Sequence, residues 1–168
     1  MASVVEHDSL PLPELAGPAR LAVVVSPYYK TIAEGLVTGA LRVAEAAGAS
    51  VEIIEVPGAL EIPPAIATLA RSGRFDGFVA LGCVIRGETT HYDTVCNDSS
   101  RGLMLLGLQG CAIGNAILTV ENTEQALVRS DPDGQDKGGG AVAAALHLIA
   151  LAQRFPALPD RARGGQRA

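Results

Sequence analysis

The sequence predicts an α/β fold, a three-layer αβα sandwich with a four-stranded parallel sheet and helices on both faces. Two observations predict it. Four short runs rich in Val, Ile and Leu alternate with stretches of helical period. The first run, 21–25, is apolar throughout, as a strand covered on both faces is. Such alternation winds a parallel sheet with right-handed crossovers.

Residues 1–19 carry Pro11, Pro13, Gly17 and Pro18 without an apolar period, so they read as a flexible arm, with an added edge strand at its end as one option. Residues 21–25 are the first strand. A helix is expected over 29–47, with Ile32, Leu36, Gly39, Ala40, Val43 and Ala47 on one face and Gly48 as its stop. The second strand covers 51–56. A short helix over 63–70 tolerates its prolines because they fall in the first turn. The third strand is 78–84, followed by a helix over 92–108 and a fourth strand over 116–120. Asn122 then caps a short helix, with Gln125 three residues on as in a capping box. A polar break at 131–136 precedes an alanine-rich helix over 138–155. The folded domain is therefore expected over 20–155, and 156–168, with Pro159, Gly164, Gly165 and three arginines, as a disordered tail.

Composition excludes several classes of function. The 168 residues are 48% hydrophobic, enough for one real core. A net charge of -5 gives no basic stripe for duplex nucleic acid. Lys30 and Lys137 are the only lysines, which leaves few candidates for lysine-based covalent catalysis. No apolar run reaches the ~20 residues that cross a bilayer, and no signal peptide is expected at the N-terminus. Cys83, Cys96 and Cys111 are odd in number and lack CxxC spacing, which suits reduced thiols in the cytoplasm. The His and Cys spacings do not suit a metal such as zinc, and no GxGxxG or P-loop follows a strand, so standard dinucleotide and P-loop sites are not supported. With 27 alanines, 19 glycines and no tryptophan, the core is made of small side chains, a first hint of self-association.

Ligands of parallel sheets bind beyond the carboxyl ends of the strands, and the unusual residues gather there. In the segment Arg86-Gly87-Glu88-Thr89-Thr90-His91-Tyr92-Asp93, Gly87 lets the chain turn. The amides of Glu88, Thr89 and Thr90 can then form an anion site at a helix start. His91 falls in the first turn, where the helix end favours a neutral imidazole and Asp93 opposes it. An ordinary capping loop with a surface histidine fits the same spacing. Gly58 and Ala59 leave backbone accessible to a flat ligand, and Glu61 can accept from a polyol or simply complement a helix dipole. Tyr28 and Tyr29 can stack on a heterocycle or pack under the first helix. Arg129 and Lys137 flank the polar break and can bind phosphate, though isolated helix-end charges are more often solvated. His7 in the arm and mid-helix His147 read as solvated and packed, respectively.

Over about 20–155 these segments resemble lumazine synthase, the penultimate enzyme of riboflavin biosynthesis. The carriers are Val56-Pro57-Gly58-Ala59-Leu60-Glu61-Ile62-Pro63, the run from Ala80 through Cys83-Val84-Ile85 to Asp93, Asn115-Ala116-Ile117-Leu118-Thr119 with Glu124-Gln125-Ala126, and Asp136-Lys137-Gly138. The resemblance implies a flavodoxin-like sheet and a transferase. The enzyme condenses 5-amino-6-(D-ribitylamino)uracil with 3,4-dihydroxy-2-butanone 4-phosphate, without cofactor. It also implies roles. Tyr28 stacks on the pyrimidine; Ala59, Leu60 and Glu61 hold the ribityl chain and ring edge; Cys83, Val84 and Ile85 line the ring pocket. Glu88 and Thr89 bind phosphate through their backbone and hydroxyl groups, and His91 transfers the proton. Asn115, Arg129 and Lys137 come from a neighbouring subunit. The sequence departs from the family at Pro27, often arginine, at Tyr28, usually phenylalanine, and at Asn115, often phenylalanine. The break at 131–136 lacks the Gly-Asn-Lys-Gly run typical of sixty-subunit shells, which favours a homopentamer over a decamer or sixty-mer. Two other readings are a non-catalytic flavin- or lumazine-binding module and a receiver-like signalling domain. The second lacks its acidic cluster, since Ser26-Pro27-Tyr28-Tyr29 stands there.

Overall fold

The computed structural model describes residues 9–157. His7, the start of the expected arm and 158–168 of the expected tail lie outside the described residues. In chain order the elements are β1 (Arg20–Val25), α1 (Lys30–Ala46), β2 (Ser50–Glu55), a 3-10 turn (Ala59–Glu61), α2 (Ile62–Arg71), β3 (Gly77–Ile85), α3 (His91–Leu108), β4 (Ile113–Val120), α4 (Thr123–Ser130) and α5 (Lys137–Arg154). The four strands form one parallel sheet in the order β2-β1-β3-β4, as the alternation requires. No helix among the described residues is long and apolar enough to cross a membrane.

Alternate residues of each strand enter two separate cores. Leu21, Val23, Val25, Val79, Leu81, Leu118 and Val120 face α1 and α5. Ala22, Val24, Phe78, Ala80 and Ile117 face Ile62 and Ile66 of α2 and Val95 and Leu103 of α3. The central strands β1 and β3 are buried on both faces.

Three expectations need correction, and one open point is settled. Residues 9–19 contain no strand, although Leu15 packs on the core and the Ala16 amide donates to Gln153 Oε1 at 3.0 Å. β2, whose place in the sheet the sequence leaves open, is the edge strand, and Ile53 is 44% exposed. β4 begins at Ile113, because its early residues pair with Phe78 and Val79 through backbone that side-chain pattern does not report. The capping box is also altered. Asn122 Oδ1 accepts from the Gln125 amide at 2.9 Å, but Gln125 Oε1 accepts from the Glu121 amide at 2.9 Å, one residue before the cap.

Helix ends follow their local chemistry. Gly48 takes a left-handed φ of 67° after α1, and the Ala49 and Gly48 amides donate to the Ala44 and Glu45 carbonyls. That is the paired closure glycine permits beyond a helix end. Asp136 is the one non-glycine residue with positive φ, 42°, among the described residues. Its carboxylate caps α5 by accepting from the Gly139 amide at 3.0 Å.

Glycine allows α5 to pack by its backbone. A methyl group at Gly138 would strike the Leu36 carbonyl of α1, and one at Gly114 of β4 would strike the Ala141 carbonyl of α5. Gly140, one turn position away, has nothing within 4 Å. Gly114→Ala is therefore expected to destabilise the protein by about 1–3 kcal/mol or more, as overpacking does. Gly140→Ala should stabilise it by about 0.5–1 kcal/mol through helix propensity. Denaturant unfolding of the two variants checks both signs; equal effects would remove the close-packing argument.

Candidate functional site

The carboxyl ends of β1, β2 and β3 enclose a cavity of about 390 Å³. Each wall has its own local cause. β1 ends at Val25, and the Ser26 amide donates to the Leu81 carbonyl at 2.9 Å, so the chain stays on the sheet before it turns at Pro27. This delivers Tyr28 and Tyr29 to the rim. Their rings meet edge-to-face with centroids 5.1 Å apart. Tyr28 is 75% exposed, whereas Tyr29 packs on the core.

After β2 the chain enters the 3-10 turn, closed by the Glu61 amide on the Gly58 carbonyl at 3.1 Å. Ala59, Leu60 and Glu61 thereby line the second wall. A Cβ at Gly58 would stand 2.8 Å from Glu61 Oε2, so glycine leaves the room the carboxylate occupies. Ser26, buried, lies between these walls and donates to the Pro57 carbonyl at 3.4 Å.

The floor is the end of β3. Cys83 and Ile85 belong to the α1–α5 side of the sheet and Val84 to the α2–α3 side, so the cavity straddles the sheet edge. Burial, with Cys96 nearby as a lesser cause, pushes the Cys83 thiol up to about 11. Burial also raises the Tyr29 hydroxyl, helped by its neighbours Tyr28 and Cys83. Both groups are neutral at physiological pH, which keeps this wall uncharged.

The fourth wall is the loop 87–90 with the first turn of α3. Gly87, Thr89, His91, Tyr92 and Val95 line it. Thr89 Oγ1 accepts from the His91 amide at 3.3 Å, and no side chain caps α3 at Thr90. The Asp93 and Thr94 amides donate to the Thr90 carbonyl, whereas those of Glu88, Thr89 and Thr90 have no partner among the described residues, and free amides before a helix start suit an anion.

Of the residues singled out in the sequence, Tyr28, Ala59, Leu60, Glu61, Cys83, Val84, Ile85, Thr89 and His91 meet around this one cavity. Glu88 is exposed in the loop and does not line it. Asn115 lies in β4, where its Oδ1 accepts from the Ile117 amide at 2.8 Å. Arg129 is in α4, donating to the Gln125 carbonyl at 3.0 Å, and Lys137 is exposed at the start of α5. None of these three lines the cavity of its own chain. The described residues that do line it include no lysine and no arginine. Ser26, Tyr92 and Val95 are lining residues that no sequence motif role marked. The helical spacing of Val95 from His91 and Tyr92, three to four residues, was the available signal.

Comparison with known proteins adds an independent finding. Residues 18–153 match the family model of 6,7-dimethyl-8-ribityllumazine synthase. The chain is 52% identical over 157 residues to a protein of that name from Jannaschia sp., covering 94% of this chain and 88% of the relative. It is 52% identical to the one from Erythrobacter litoralis, covering 83% and 99%. With the one from Sphingopyxis alaskensis it shares 53% identity, covering 82% and 97%.

The raised Cys83 thiol has a measurable consequence. Its folded value of about 11 lies above the ordinary 9.0, so the protonated form is favoured by folding. The stability this contributes is present below pH 9 and lost as pH rises from 9 to 11. The melting temperature should fall across that window, and less so in Cys83→Ser. At pH 8 only about one Cys83 in a thousand is thiolate, so iodoacetamide should label it far more slowly than in the denatured chain. Equal labelling rates would show that the thiol is not held neutral.

Proposed function

This chain belongs to the 6,7-dimethyl-8-ribityllumazine synthase family, and we infer that the cavity at the strand ends is where it carries out the family's reaction. It condenses 5-amino-6-(D-ribitylamino)uracil with 3,4-dihydroxy-2-butanone 4-phosphate to 6,7-dimethyl-8-ribityllumazine, phosphate and water, the penultimate step of riboflavin biosynthesis. The class is transferase.

The observation that carries the reading is the charge of the cavity. It offers an aromatic rim, a carboxylate, an imidazole and free helix-start amides, and no lining cation among the described residues. The first three suit a flat ring, a ribityl chain and a proton transfer. The amides suit the phosphate, but a dianion in a partly enclosed site calls for a cation. Arg129, whose planar fork matches phosphate, supplies it from an adjoining copy, with Asn115 and Lys137 of the same copy nearby. The active unit is thus a homo-oligomer. We favour a homopentamer, since the break at 131–136 lacks the run typical of the large shells. Free Cys83, Cys96 and Cys111 suit the cytoplasm.

The chemistry follows from these placements. Tyr28 stacks on the uracil, and the wall of Ala59, Leu60 and Glu61 orients its ribityl chain. The ring pocket of Cys83, Val84 and Ile85 then holds the weakly nucleophilic amine beside the ketone. Its nitrogen bonds to the ketone carbon, and the carbonyl oxygen leaves as water to give an imine. His91 removes a proton from the adjacent carbon. The electron pair shifts into the chain, and the carbon–oxygen bond to phosphate breaks, the pair leaving with the phosphate. The backbone amides of Glu88 and Thr89, the Thr89 hydroxyl and the partner copy's Arg129 stabilise that charge. Loss of phosphate leaves an enol at the carbon that bore the hydroxyl. The enol takes a proton at its terminal carbon and becomes a carbonyl, and the second amine closes the ring on that carbonyl with loss of a second water.

Purified protein given both substrates should generate the lumazine absorbance above the spontaneous rate; no excess would end the enzyme reading in favour of a binding module. His91→Ala should lower kcat by about 10²- to 10⁴-fold and leave the KM for the uracil nearly unchanged. A large loss of uracil affinity would contradict the proton-transfer role. Arg129→Ala should raise the KM for the phosphate substrate about 10- to 100-fold. An unchanged value would remove Arg129 from the site, and a native mass below that of a dimer would remove the shared pocket.

A further inference from the structure

Arg86 is the residue at which β3 becomes the anion loop, and neither the ring pocket nor the phosphate contacts above use it. Its backbone amide donates to the Val120 carbonyl at 2.9 Å and so extends the β3–β4 ladder one step past the strand. Its guanidinium then reaches two other elements. Nε donates to Glu121 Oε2 at 2.8 Å, just beyond β4. Nη1 lies 3.6 Å from Asp93 Oδ1 in the first turn of α3. The carbon of the same guanidinium stands 4.2 Å from the centroid of the Tyr92 ring, itself a cavity residue.

These contacts bracket the loop 87–90. One end is fixed by the ladder, the other by Tyr92 and Asp93. Between them, the one side-chain hydrogen bond among the described residues is that from the His91 amide to Thr89 Oγ1. A methyl group at Gly87 would meet nothing within 4 Å among the described residues, so no close approach fixes the turn at that position. α3 itself is seated in the core by Val95 and Leu103, so what the guanidinium sets is the loop 87–90 with the first turn, and with them the direction of the free amides and of His91. A single exposed ion pair contributes little. Here one planar group joins two carboxylates and a ring on two elements, a geometry a lysine cannot reproduce.

We propose that Arg86 is a positioning residue that sets the anion loop and His91 against the end of β4 through Glu121, Asp93 and Tyr92, without touching substrate. The inference rests on the reading of the cavity given above. It predicts a selective loss. In Arg86→Met the KM for dihydroxybutanone phosphate should rise on the order of tenfold, kcat should fall, and the KM for the uracil should stay within about twofold. Arg86→Lys should recover only a minor part. Glu121→Gln, an exposed change that preserves the fold, should shift the same parameters in the same direction by less. The double variant should be no worse than Arg86→Met, because both act through one contact. Equal changes in both KM values, additive effects of the two substitutions, or full recovery by lysine would each overturn the proposal. So would a lowered melting temperature with unchanged kinetics. Calorimetric binding of inorganic phosphate separates this from the functional reading, because it needs no turnover. Weaker phosphate binding by Arg86→Met supports the positioning role even in a protein that forms no lumazine, and equal binding refutes it even in one that does.

Discussion

The rest of the structure depends on the direct contact of the α5 backbone with α1 and β4. At Gly138 and Gly114 no side chain stands between main chains. The carboxylate of Asp136, held at positive φ, fills the gap against Gly39 and Gly139 and starts the helix. α5 fixes β4, β4 pairs with β3 along its length to Ile85 and Val120, and the ladder continues to Arg86. In this parallel sheet a one-residue shift in register would move every side chain of a strand to the wrong face. The cavity at its edge therefore inherits its dimensions from helix packing on the far side of β4.

The cavity itself combines three loops that are far apart in sequence and adjacent only because the strand order is β2-β1-β3-β4. Each loop supplies a different chemistry: aromatic faces after β1, a carboxylate and bare backbone after β2, amides and an imidazole after β3. The neutral Cys83 and Tyr29 keep fixed charge out of the ring wall. What this set lacks is positive charge. The role proposed for Arg129 of an adjoining copy, which the family resemblance implies, would meet that deficit.

Much of this was legible in the sequence because strong local signals agreed. The uninterrupted Leu21–Val25 run marked a central strand, Gly48 marked the end of α1, and the turn residues placed the motif residues at strand ends. Less was legible where tertiary context decides. The apolar residues of 51–56 give no sign that β2 is the edge, since strand order is a property of the sheet and not of the strand. The 3-10 turn at Ala59–Glu61 is set by one backbone hydrogen bond and the space at Gly58. Tyr92 reads as an ordinary helix residue until Arg86 is seen over its ring. The roles of Asn115, Arg129 and Lys137 came from the family resemblance; within one chain they lie apart from the cavity.

The placement of the aromatic residues has an optical consequence. The chain contains three tyrosines and no tryptophan, and Tyr28, Tyr29 and Tyr92 all line the same cavity. Every chromophore that absorbs beyond the phenylalanine bands thus sits where a ligand would sit. Beyond the phenylalanine bands, the circular dichroism and the tyrosine emission of this protein are therefore spectra of one location.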